Sequence, residues 1–139
     1  MIRPPGWENA GTTEFGDSET LSDWLVSLIL QGKKTATCGA LRDYHQDGTP
    51  LTLVGQRDLV LDFAGRAVAG IEYTEVTLLR YREVPEAFAL AEGEGSFQDW
   101  QDGHRAYFTR NGGWSPEMLL VCERFRLISR FDPGAAPSV

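Results

Sequence analysis

Lys33 and Lys34 stand side by side and are the only lysines of the 139-residue chain; every other permanently cationic side chain is arginine. That choice matters chemically. Burial readily lowers the pKa of an amine, so a lysine can act as a base, whereas a guanidinium stays charged. A lysine just beyond a helix C-terminus also complements the helix dipole, so position alone leaves a structural role open. Thr37 follows Lys34 by three residues. Its hydroxyl needs an adjacent base to become a nucleophile, yet residues i and i+3 of a regular strand face opposite sides of a sheet. The two meet only if the chain bends between them. A threonine satisfied within a strand is the simpler alternative.

Glu94 lies between Gly93 and Gly95. Glycines permit a sharp turn and the close approach of a ligand. A carboxylate on such a turn can serve as acid, base or clamp, or it can be a solvated loop acid. Glu92 is a rival for the same role. His104 falls on an aromatic helix face and is expected to pack or to lie at the surface, and Trp24 is expected in the core. Trp114, in a Gly-rich loop, can stack on a base or pack locally. Ser96 and Ser115 lack a nucleophile-elbow pattern, and no phosphate-binding glycine loop is present. Cys38, Cys122, His45 and His104 show no zinc-type spacing. No metal or other cofactor is therefore expected, and both cysteines are expected as reduced thiols in a cytoplasmic protein.

The elements that must position these residues are legible in part. Leu21, Trp24, Leu25, Leu28 and Ile29 give an apolar stripe for a helix over 18–31, with Thr20 and Asp23 resembling a capping box and Gly32 at the left-handed C′ position. An extended segment over 33–40 and a polar loop over 41–50 follow. Strands are expected at 51–54, 58–63, 66–81 and 118–128, a short helix at 85–90, and a second amphipathic helix at 96–109. The pattern is α+β, mainly β, with a partly closed β-barrel flanked by two or three helices. Residues 1–14 read as an N-terminal arm, 15–129 as one domain and 130–139 as a flexible C-terminal tail. The N-terminus has no apolar segment of the secretory kind, and no run approaches the length of a membrane span.

The chain carries a net charge of −7. Proteins that track a nucleic-acid backbone neutralise phosphates with a broad basic surface. Extended duplex binding is therefore not expected. A small basic pocket for one nucleoside or a short single strand stays open.

Gly32-Lys33-Lys34-Thr35-Ala36-Thr37 resembles the Gly-x-Lys-Thr-x-Thr signature of ASCH domains. Ile71 to Val76, Ala91 to Gly95 and Val121 to Phe125 resemble segments of the longer bacterial members. The resemblance implies a PUA-like β-barrel and a link to RNA. By likeness to the family's N4-acetylcytidine amidohydrolases, it implies catalysis by Lys34, Thr37 and Glu94, with neutral Lys34 taking the Thr37 proton. By likeness to ASCH ribonucleases, Lys34 would instead stabilise phosphate charge during cleavage of short single-stranded RNA. A non-catalytic RNA- or nucleotide-binding module is the third expectation, with Lys33, Lys34 and Arg42 as phosphate or base contacts and Trp114 as a stacking platform. The amidohydrolase signature is followed closely by an arginine, whereas Gly39 and Ala40 stand here and Arg42 comes later. That departure, with an insertion through His45 and Asp47, puts the substrate in question.

Overall fold

The structure is a computed structural model that describes residues 2–132. Five strands form one mixed sheet: β1 (Gly11–Thr13), β2 (Ala36–Ala40), β3 (Arg57–Leu61), β4 (Ala67–Arg80) and β5 (Leu119–Arg130), in the order β1-β3-β4-β5-β2. Only β1 runs parallel to its neighbour. Register shifts at Gly70/Ile71 and Tyr73/Glu75 interrupt the long β4–β5 pairing, and bulges of this kind bend a sheet. The sheet is open, with β1 and β2 at its edges among the described residues.

Four α-helices accompany it: α1 (Glu19–Leu30), α2 (Leu41–Asp47), α3 (Glu86–Ala91) and α4 (Phe97–Arg110). The α+β class thus stands, with one helix more than expected. The extra one is α2, where a polar loop is expected from sequence. It buries none of its residues, so it leaves no apolar stripe to read. Conversely, 51–54 forms no strand: Leu53 and Val54 are exposed in irregular backbone. Within 1–14, Gly11–Thr13 pairs with β3 and Trp7 is buried beneath Phe131. Arg130 closes β5; of the expected tail, 133–139 lies outside the described residues.

Helix α1 begins two residues before the expected capping box, because the Ser18 side chain accepts from the Leu21 N–H. Its buried face is Ser22, Leu25, Val26, Leu28 and Ile29, which keeps Leu25, Leu28 and Ile29 of the expected stripe and is turned toward Ser22 and Val26, with Leu21 partly buried at its edge. Trp24 is consequently 44% exposed instead of lying in the core. The helix ends as expected: Gly32 takes φ +73°, and the N–H groups of both Lys33 and Lys34 turn back to the Leu28 carbonyl. One apolar cluster packs α1 residues Leu25 and Ile29 with Val60, Ile71 and Phe125. A second packs Phe88, Trp100 and Phe108 with Ala36 and Leu120. The functional side chains described next lie where α1 leaves the first cluster and α3 and α4 cover the second.

Candidate active site

The chain turns between the end of α1 and the start of β2. Lys34 precedes β2, held by its own N–H to Leu28 and by the next residue, Thr35, whose N–H donates to the Ala91 carbonyl at 2.8 Å. The Thr35 hydroxyl donates to the same carbonyl at 3.3 Å. Lys34 therefore does not follow the strand alternation that would separate it from Thr37. Lys34, Thr37 and Glu94 all line one cavity of about 450 Å³, within the range of small-molecule sites.

Lys34 is 2% exposed. Its Nζ donates to Glu92 Oε1 and to Glu94 Oε2, each at 3.0 Å, and lies 3.5 Å from the Glu92 carbonyl. An ammonium has three donors, so all are accounted for. Gly93 makes the two-carboxylate grip possible. It takes φ +75°, and a side chain there would run into the Lys33 carbonyl and the Lys34 N–H.

Glu92 is more deeply fixed than Glu94. It is 1% exposed. The Trp100 indole N–H donates to its Oε2 at 2.6 Å, and His104 Nε2 lies 3.5 Å from its Oε1. His104 Nδ1 is 2.9 Å from the Trp100 carbonyl. That carbonyl can only accept, so Nδ1 carries a proton. The His104 ring stacks on Trp100 with centroids 4.4 Å apart. Trp100 and His104 thus form a wall, one helical turn apart on α4, that orients the Glu92 carboxylate.

These contacts set the charges. Burial alone would lower the Lys34 pKa, but Glu92 and Glu94 outweigh it and hold the amine above its ordinary value. Burial pushes the Glu92 carboxyl up, and Lys34, His104 and Trp100 together hold it well below the usual range. Glu94 goes the other way: burial, reinforced by the Glu92 charge, raises it against the pull of Lys34. Burial lowers His104, but the Glu92 carboxylate more than restores it, leaving the imidazole above its ordinary value. Two neighbouring acids pushed apart in this way suit different proton roles.

Thr37 is half-buried on β2, and its hydroxyl is not among the partners of Lys34. Lys33, Arg42 and Trp114 stand outside the cavity lining. Lys33 is exposed. Arg42 is tied to the Gly113 and Asn111 carbonyls at 2.6 and 3.3 Å. Trp114 lies edge-on to Tyr81 and beneath Arg105, whose guanidinium is 4.2 Å from the indole ring. In the sequence Glu92 and Glu94 are rivals for one role, whereas Lys34 bonds both. Trp100 carries no assignment there, and His104 is expected only to pack or to lie at the surface. Their i, i+4 spacing put them on one helix face, but only the fold supplies the carboxylate they address.

Cys38 Sγ, a Glu92 oxygen and a His104 ring nitrogen lie within 4.8 Å of one another, a gathering that the distant sequence positions conceal. The donor set would suit a zinc-like ion. The Lys34 ammonium already bonds this carboxylate at 3.0 Å, and burial raises the Cys38 thiol well above its ordinary value. A metal would have to displace the one and deprotonate the other. Both cysteines are free thiols. No helix among the described residues is long and apolar enough to cross a membrane.

Comparison with known proteins completes the assignment. The family model for the ASCH domain matches residues 11–129. A crystal structure of an ASCH domain from Lactobacillus crispatus is 34% identical, with a TM-score of 0.78, over 84% of this chain and 78% of that one. Protein EF3133 from Enterococcus faecalis is 32% identical with the same TM-score of 0.78, over 92% of this chain and 78% of its own. A variant of ZmASCH from Zymomonas mobilis, at 15% identity and a TM-score of 0.53 over 79% of this chain and 70% of that one, shares the fold. No curated protein matches the chain. With the signature glycine and lysine at the exit of α1, the open five-stranded sheet, and a family match running from β1 into β5, the chain belongs to the ASCH domain family.

Proposed function

We propose that this chain hydrolyses the acyl amide of a modified nucleoside, with N4-acetylcytidine as the representative substrate, in the cavity of Lys34, Thr37 and Glu94. One observation carries the proposal: a buried ammonium is gripped by two carboxylates of unlike character. Glu92 is fixed and ionised, and Glu94 is the more accessible acid with the raised pKa. A carboxyl held above its ordinary pKa is a better proton acceptor and can return that proton to a leaving group. Glu94 takes the Thr37 hydroxyl proton as Oγ1 bonds to the acyl carbon. As Glu94 takes the proton its hold on the Lys34 ammonium weakens, and the charge of that ammonium stabilises the developing oxyanion. Collapse breaks the carbon–nitrogen bond, and Glu94 returns the proton to the departing amine. A water molecule, deprotonated by Glu94, then attacks the acyl–Thr37 ester; the ester carbon–oxygen bond breaks, Glu94 returns the proton to Thr37 Oγ1, and the carboxylic acid leaves. In this scheme Lys34 works as a cation and not as the neutral base that the family resemblance implies, since its donors are directed at the two glutamates.

The lining favours an uncharged substrate over RNA. Glu14, Asp43, Glu92, Glu94, Asp99 and Glu123 face Lys34 and Arg110 as the permanent cations, and Arg110 is already paired with Asp17 at 2.7 Å. A phosphodiester would enter against that field. Aromatic side chains such as Trp24, Tyr44 and Tyr107 do line the cavity, but it lacks the basic track of a strand-binding module, because Lys33 and Arg42 lie outside it, as does Trp114.

The test follows N4-acetylcytidine deacetylation by chromatography with the wild type, Glu94→Gln and Thr37→Ala, alongside a short RNA. Wild-type conversion to cytidine, its loss in both variants, and an acetyl adduct on Thr37 by mass spectrometry are expected. Wild-type inactivity on N4-acetylcytidine refutes the proposal, and RNA cleavage in its place restores the ribonuclease reading.

A further inference from the structure

A second cavity of about 350 Å³ adjoins the first, and Thr13, Asp43, Tyr44 and Glu123 line both. Glu123 belongs to the Val121–Phe125 segment singled out in the sequence, to which the chemistry above gives no role. It lies on β5 directly opposite Thr37 in the antiparallel β2–β5 register. Opposed residues of such a pair project to the same face, with Cβ atoms about 4.5–5.5 Å apart. Glu123 is therefore a neighbour of the hydroxyl proposed to attack.

Its carboxylate is incompletely satisfied. Glu123 is 5% exposed. Oε1 accepts from the Tyr44 hydroxyl at a long 3.4 Å, the Thr52 hydroxyl stands beside the carboxyl, and Oε2 is buried without a hydrogen bond of good geometry. Behind it, Asp58 is also buried, accepting from the Tyr73 hydroxyl at 2.8 Å and from the Gln56 amide at 3.4 Å. A buried acceptor with no donor is costly, so an occupant that brings a donor is strongly favoured there.

The lining selects among donors. Asp43, Asp47, Asp58 and Glu123 line the second cavity with no lysine, arginine or histidine, which repels phosphate. The described residues gather three potential metal-ligand atoms only at Cys38, Glu92 and His104, not here. An ammonium would need acceptors alone, yet Tyr44, Thr13 and Thr52 add hydroxyls that can also donate. A vicinal diol uses both: its O–H groups donate to carboxylate and its oxygens accept from hydroxyls. Carboxylates hold ribose hydroxyls in this way in dinucleotide-binding folds.

We propose that Glu123 and Tyr44, backed by Asp58, form a subsite for the 2′,3′-diol of an unphosphorylated ribonucleoside. This rests on the nucleoside reading of the adjoining cavity: the acyl group lies by Thr37 and Glu94, and the sugar lies by Glu123. The subsite makes the site selective for free ribonucleosides over deoxyribonucleosides and 3′-phosphorylated chains.

Binding and turnover test it separately. Calorimetry compares cytidine, 2′-deoxycytidine and cytidine 3′-monophosphate on the wild type, Glu123→Gln and the gentler Tyr44→Phe. Turnover compares N4-acetylcytidine with its 2′-deoxy counterpart. Cytidine is expected to bind about tenfold or more tightly than the other two, the effect of losing a charge-assisted hydrogen bond. Glu123→Gln should abolish that preference, Tyr44→Phe should reduce it, and the 2′-deoxy substrate should show a raised KM. Equal wild-type affinity for cytidine and 2′-deoxycytidine, no cytidine binding, or a preference that survives in both variants overturns the subsite. If turnover proceeds equally on both acylated substrates, the subsite fails and the deacylase reading stands. If nothing is deacylated but the Glu123-dependent preference is found, the subsite stands and the deacylase reading fails.

Discussion

Replacing Lys34 by methionine keeps the apolar stem and removes the cation, leaving Glu92 and Glu94 buried side by side. Breaking a buried ion pair from one side costs about 3–5 kcal/mol. Glu92 keeps the Trp100 indole at 2.6 Å and His104 at 3.5 Å, which places Lys34→Met near the lower end, about 3 kcal/mol. Urea denaturation at neutral pH, with wild type and variant fitted to the same slope, measures it. The pH dependence provides a sharper test. In the wild type the Glu92 pKa is depressed below 4.5, so its contribution is present above that value and is lost as pH falls through the folded pKa. Without Lys34, burial dominates and both carboxyls rise above 4.5, so the variant gains stability as pH falls toward about 5 and loses it as pH rises. The difference between the proteins should therefore shrink on mild acidification. A destabilisation under about 1 kcal/mol at neutral pH, or one unchanged between about pH 7 and 5, refutes the assigned charge state.

Two further outcomes follow from the same site. The His104 pKa is raised above 6.5 by Glu92, so its stabilisation is present below 6.5 and is lost as pH rises through the folded value; denaturation series should show this decline in the wild type and not in His104→Gln. Gly93→Ala forces a side chain into positive-φ backbone and against the Lys33 carbonyl, for an expected loss of about 2 kcal/mol or more, with a raised KM or reduced kcat for N4-acetylcytidine as Lys34 is pushed out of place.

Sequence and structure agree where a single element carries its own signal. The exit of α1 was legible because Gly32 is the residue that a left-handed C′ position favours, and α4 because its aromatic spacing is helical. The interior of α1 was less so: Leu21 and Trp24 compete with Ser22 and Val26 for places beside Leu25, Leu28 and Ile29, and the choice rests on what α1 meets in β4 and β5. β1 is three residues long, too short for a periodic signal, and exists because β3 offers it an edge. In the site, Lys34 and Glu94 were suggested by residue type and flanking glycines. The roles of Trp100, His104 and Glu123 could not be, because each is defined by a partner on another element. The Thr37–Glu123 pairing is set by a strand register that joins two distant parts of the chain.

The bonds of Lys34 to Glu92 span 58 residues, and that distance bears on how the chain reaches its native state. The β3–β4 hairpin closes locally, with Asp62 accepting from the Arg66 N–H across its turn at 2.8 Å. The ion cluster instead requires α1 and the α3–α4 segment to be docked together at β2, a contact of long sequence separation with a larger loop-closure cost. Until then the lysine stays hydrated. Any compact form that buries it without both glutamates strands a cation in a dry interior, at a cost comparable to much of a small domain's net stability. Misdocked arrangements are thereby disfavoured, and the charges gathered around Lys34 favour the correctly assembled fold over its compact alternatives.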